Sequence, residues 1–239
     1  MTDEPYRWLE AIANRREYIR DQLKGATPVF ALSRPEGVLL LGVGTGQSKV
    51  FEIYDRHALA ALGHPVDIEK MRQALIEAAH LEGFTRAPED VTVRRLLNFA
   101  LGPALKSAFE QIFSAPIIME CLLVEAGSSP GKDTLARVSF DGTHRLESDG
   151  VAVAHVDPGA EPAARNWLRT HLTPDLTIGE TARRALSAWR VLSEGRSDYP
   201  EAGVAAGPLS VDGRTVELAL VERQGGRVRY RALDSDTLL

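Results

Sequence analysis

The sequence is poor in cysteine. Cys121 is the one thiol among 239 residues, so no internal disulfide can form, and a reducing, cytoplasmic compartment is expected. Met119, Leu122 and Leu123 flank it, which predicts a buried core thiol. Long hydrophobic runs are also missing. None approaches the roughly 20 residues that cross a bilayer, and the stretch Met1 to Trp8 is acidic and polar, unlike a secretory signal. No sign of charge dominates: 28 Lys and Arg face 33 Asp and Glu, a net charge of -5. That balance gives no global pull toward nucleic acid or an anionic membrane. The six histidines, His57, His64, His80, His144, His155 and His171, are scattered. None is spaced with Cys or a carboxylate as metal ligands are, so no metal and no cofactor are expected. What is present is ample apolar material, 44% of residues, enough for a sizeable core.

The chain opens with a helical pattern over Pro5 to Lys24, with Trp8, Leu9, Ile12, Ile19 and Leu23 on one stripe and Gly25 as its stop. Two short apolar runs, Val29–Leu32 and Val38–Leu41, are joined by Arg34-Pro35-Glu36-Gly37, a turn signal. The loop Gly42 to Ser48 carries three glycines. It matches a phosphate-binding G-x-G only superficially, because a strand follows it and not a helix. Strands are expected over Lys49–Ile53 and Ala58–Leu62. Helices follow over Asp67–Leu81, with Asp67 as N-cap, and over Asp90–Phe113, bent at Gly102-Pro103.

The second half repeats this order. Ile117–Glu125 is an apolar strand; Leu135–Phe140 and Thr143–Glu147 flank the hairpin signal Asp141-Gly142; Gly150–His155 is a small-residue strand. Glu161–His171 and Thr177–Ser193 are helical, the second opening on the capping-box spacing Thr177…Glu180. Gly195–Pro208 is loop-like. Val216–Glu222 and Arg227–Ala232 close the chain as a hairpin, with Arg227, Arg229 and Arg231 on one face. Hairpins separated by helix pairs predict two antiparallel sheets face to face with helices outside both, an α+β sandwich of αββα layers.

The segment Gly37-Val38-Leu39-Leu40-Leu41, then Lys49-Val50-Phe51-Glu52-Ile53-Tyr54-Asp55 and the small-residue strand ending at Gly63, resembles the first half of a proteasome subunit of the Ntn-hydrolase class. The helix before it, with Glu17-Tyr18-Ile19-Arg20 and Lys24-Gly25-Ala26-Thr27, looks like the alpha type. Asp90-Val91-Thr92, Ser139-Phe140-Asp141-Gly142, and Glu217-Leu218-Ala219-Leu220-Val221 with Arg229-Tyr230-Arg231 resemble bacterial, actinobacterial-type alpha subunits. The likeness runs from Arg7 to Leu233. It departs at Val156-Asp157-Pro158-Gly159, where a Gly-rich turn is usual, and the N-terminus lacks the Tyr-Asp-Arg gate element.

The resemblance implies a ring-contact and gate helix over residues 1–25 and an αββα domain over 26–239. It implies a homo-heptameric alpha ring, stacking on beta subunits, AAA+ ATPase activator tails as partners and unfolded proteins as substrates. It implies that Lys49, with Gly25 and Arg20, lines a pocket between neighbouring subunits that captures an activator's terminal carboxylate. Trp8, Leu9, Ile12 and Ile19 are the expected ring contacts; Arg15-Arg16 could also face a neighbour.

Catalysis in the beta type needs an N-terminal threonine freed after a glycine, with a lysine and an acid nearby. Here Ala26 follows Gly25, Thr27 is followed by Pro28, and Leu41-Gly42-Val43 has no carboxylate. No catalytic residue is expected. Two other readings stay open: a beta-like threonine hydrolase, and a stand-alone Ntn-fold binding protein.

Overall fold

The computed structural model describes residues 4–201, 211–226 and 229–238. Helix α1 (Glu4–Leu23) leads into strands β1 (Val29–Ser33), β2 (Gly37–Gly44), β3 (Val50–Tyr54) and β4 (His57–Gly63). Helices α2 (Pro65–Thr85), α3 (Val93–Leu96) and α4 (Gly102–Glu110) follow, then β5 (Met119–Glu125), β6 (Thr134–Val138), β7 (His144–Glu147) and β8 (Val151–Ala154). Helices α5 (Glu161–His171) and α6 (Ile178–Ser193), strands β9 (Thr215–Glu222) and β10 (Tyr230–Leu233), and the short α7 (Ser235–Leu238) complete it.

The strands form two five-stranded antiparallel sheets, ordered β10-β9-β2-β1-β8 and β3-β4-β5-β6-β7. Each central strand is buried on both faces, which is why the strands read as near-continuous apolar runs. The faces divide with period two. Ala31, Leu40, Ala60, Leu122 and Ala152 fill the space between the sheets. Phe30, Leu39, Leu41 and Leu220 turn outward under α5 and α6. Leu59, Cys121 and Leu123 turn the other way, under α2, α3 and α4. The result is the four αββα layers expected. Alanines dominate the inner layer on β4 and β8, which explains the small-residue strands.

Several local expectations need correction. Asp67 is not the N-cap of α2: the helix begins at Pro65 after His64. The Asp67 carboxylate instead accepts from the Ile118 amide at 2.9 Å. The helix expected over Asp90–Phe113 is broken into pieces. Thr92 caps α3 by accepting from the Arg95 amide at 3.3 Å. Leu97–Leu101 is a π-helical turn, and the Gly102 amide reaches back to the Leu97 carbonyl. Pro103 has no N–H to offer the previous turn, and the ladder absorbs that loss by widening. The Thr177–Glu180 capping box is present in both directions, at 3.2 and 2.8 Å. Of the loop expected over Gly195–Pro208, residues 202–208 lie outside the described residues, as does Arg227 with the start of the last strand.

Helix α1 docks on its own chain. Ile19 and Leu23 are buried in the inter-sheet core, and Ile12 packs against it. Arg15 donates to the Ala108 carbonyl at 2.8 Å and the Ile112 carbonyl at 3.3 Å, covering the end of α4. Arg16 pairs with Asp141 at 2.8 Å and lies over the Phe109 ring. Ile19, expected as a ring contact, is instead 0% exposed within one chain and presents no surface of its own to a neighbour. The Arg15-Arg16 pair is likewise committed to its own chain. Trp8 and Leu9 remain 50% and 64% exposed.

Candidate functional site

The turn between β2 and β3 delivers Lys49 to a small hollow of about 210 Å³. Glycine makes this possible. A Cβ on Gly42 would lie 2.9 Å from the Lys49 Cβ, and one on Gly44 would lie 3.4 Å from its Cε. The two glycines that resembled a phosphate loop belong to β2 and clear a bed for the lysine stem. The ammonium donates to the Thr27 carbonyl at 3.0 Å. Burial, offset partly by Glu217 and reinforced by Arg214, lowers the Lys49 pKa to about 8. This is not a solvated loop lysine.

Glu217 is the carboxylate that the sequence did not reveal. It sits on β9 directly across from Gly42, and its Oε2 accepts from the Lys49 and Val50 amides at 2.8 and 3.3 Å. Arg214, just before β9, lines the same hollow. Both depend on pairing between strands about 170 residues apart, a register that no local motif encodes. The one available signal was the alternation of β9, which sets Glu217 two residues before Ala219 on the inter-sheet face.

Gly25 joins Lys49 at this hollow. It ends α1 with φ +90, a conformation that glycine adopts without cost. Arg20 does not join them. It is exposed and lines a separate hollow of about 290 Å³ with Arg16, Asp141 and Glu120. Thr27 lines the hollow beside Lys49. Its hydroxyl donates to the Val43 carbonyl.

That second hollow opens over a buried ionic network. Arg137 contacts Glu120 and Glu161, Arg145 bridges Glu161 and Glu147, and Arg165 joins Glu147 to Asp149. Glu161, 1% exposed, also accepts from the His155 amide at 3.0 Å. The turn Val156–Gly159 is held by Asp157, which accepts from the Gly159 amide at 2.9 Å. The departure from a Gly-rich turn is thus compensated by an Asx-type hydrogen bond. His57, fully buried, faces Glu125 at 3.6 Å. Among the described residues no group of His, Cys, Asp and Glu could hold a metal ion, and no helix is long and apolar enough to cross a membrane.

No protein-family model matches the chain. Curated relatives do. The chain is 30% identical over 232 residues to "Proteasome subunit alpha" of Actinosynnema mirum, covering 96% of this chain and 83% of that protein. It is 28% identical over 226 residues to the subunit of Geodermatophilus obscurus, covering 94% and 75%. It is 26% identical over 224 residues to that of Acidothermus cellulolyticus, covering 93% and 89%. With two packed sheets between helical layers, a leading helix and this breadth of likeness, the chain belongs to the proteasome alpha-subunit family.

Proposed function

We propose that the chain is a noncatalytic alpha subunit of a bacterial proteasome core particle. It assembles as a heptameric outer ring on beta subunits, narrows substrate entry with its N-terminal segment and docks an ATPase activator that supplies unfolded protein. One observation carries the noncatalytic reading. Helix α1 is part of the fold, with Ile19 and Leu23 buried in the inter-sheet core, so freeing the α-amine that a threonine hydrolase needs would strip that core, and the residue after Gly25 is Ala26. Residues 1–3, at the front of the gate segment, lie outside the described residues. The single buried thiol, Cys121, fits a cytoplasmic compartment.

The docking reading rests on the hollow at Lys49 and Gly25. An ammonium held there meets no carboxylate within salt-bridge distance among the described residues, so an incoming terminal carboxylate would make its first direct ion pair. Arg20 can contribute to such a site only from a neighbouring copy. Trp8 and Leu9 offer apolar surface for ring contacts, with Ile12 partly covered by its own chain.

Two assays test the proposal. The purified chain is expected to turn over no fluorogenic peptide; steady hydrolysis abolished by Thr27→Ala would overturn the noncatalytic reading. Lys49→Met keeps the packed stem and removes the charge. It is expected to weaken binding of an activator's C-terminal peptide by about tenfold to a hundredfold, with fold and assembly intact. Wild-type affinity in that variant would end the docking role.

A further inference from the structure

The hollow at Lys49 contains a second cation that no docking role has yet absorbed. Arg214 follows the turn Asp212-Gly213, whose residues take φ 52 and 74, and its amide donates to the Val211 carbonyl at 3.0 Å. The side chain is half-buried and stacked, with its guanidinium carbon 5.6 Å from the Trp189 ring centroid. Among the described residues it has no ion pair, while most other arginines of the chain are paired or donate to carbonyls. Glu217, the nearby carboxylate, already accepts from two backbone amides. The hollow is therefore lined by two cations and, among the described residues, by no carboxylate, with the engaged Glu217 close by.

We infer that Arg214 is a specificity-determining residue of the docking pocket, selecting tails that carry an acidic side chain close to their terminal carboxylate. The inference rests on the docking reading above. Lys49 and Arg214 differ in the geometry they offer. Lys49 is a compact charge, suited to one terminal oxygen; Arg214 is a planar fork placed over the Trp189 ring, suited to both oxygens of a second carboxylate. A stacked guanidinium has lost much of its rotamer freedom before any ligand arrives, so less is lost on binding. A tail with one anionic group leaves one cation unmatched, while a tail with an Asp or Glu near its end matches both. Mutual repulsion supports the same picture, since Arg214 helps to lower the Lys49 pKa and an incoming pair of carboxylates relieves it.

The experiment uses the chain assembled with its beta subunit, isolated as the full-size particle, and a pool of N-acetylated hexapeptides randomised over the last four positions. One pool has free C-termini and one has amidated C-termini. Bound peptides are captured and sequenced by mass spectrometry. The expected result is retention of the free-carboxylate pool over the amidated one, with Asp and Glu enriched about tenfold at one of the last positions. Arg214→Gln is expected to lose the acidic enrichment and keep the preference for a free terminus, which also reports that the pocket is folded. If Arg214→Gln loses both, Arg214→Lys decides: retained enrichment supports the assignment and lost enrichment overturns it. No preference for free termini in the wild-type chain overturns the docking reading and the Arg214 assignment with it. Free-terminus binding without acidic enrichment, or enrichment unchanged in Arg214→Gln, overturns the Arg214 assignment alone.

Discussion

Lys49 shows how burial turns a common surface residue into a tuned one. Its pKa, lowered to about 8 chiefly by burial, lies near neutrality, so its charge is present below about pH 8 and lost above it. A bound carboxylate stabilises the charged form and raises that pKa. The complex then binds more protons than the free protein in the window above about 8, and affinity must fall there as pH rises. Binding of an N-acetylated tail peptide is expected to be flat from pH 6 to 7 and to weaken through pH 8 to 9. The same titration on Lys49→Met is expected to be flat throughout; a parallel decline would assign the pH dependence to another group. Cys121 gives the opposite case. Burial pushes its thiol up to about 12, so the native chain is expected to resist iodoacetamide that labels it in denaturant.

Elements fared unequally in the sequence, and the reasons are physical. The strands were legible because burial on both faces leaves an apolar run that turn residues punctuate. Helix α6 was legible because its capping box is local. Helix α2 was misread at its start because Asp67 serves the Ile118 amide, a partner 51 residues away. The site was half legible: Lys49 and Gly25 stand near turns, whereas Glu217 and Arg214 reach them only through sheet register. The ionic network joining β5, β6, β7 and α5 was likewise invisible. Glu161→Ala would leave the buried Arg137 with Glu120 as its remaining carboxylate and the His155 amide without its acceptor, and is expected to lower the urea midpoint. Helix α1 changes the obvious assembly test. Removing residues 2–24 strips Ile19 and Leu23 from the core, so that deletion is expected to unfold the chain. Trp8→Ser with Leu9→Ser is expected to leave its melting temperature near wild type and to weaken assembly by sedimentation.

At the scale of the whole molecule, the exposed apolar surface gathers on particular helices. Phe84 and Phe99 are 90% and 74% exposed, and Phe99 lines a hollow with Leu81. Large apolar side chains left open on the outer layer mark interaction surfaces. Phe84→Ser with Phe99→Ser is expected to reduce stacking on beta subunits while each chain stays folded. The central claim, a ring subunit that keeps its leading helix, is tested most directly by native mass spectrometry of this chain co-produced with a threonine-bearing beta subunit. The expected spectrum shows complexes holding this chain in multiples of seven, each copy with the mass of a chain that retains α1. A spectrum of monomers alone, or a chain mass beginning at Thr27, would contradict it.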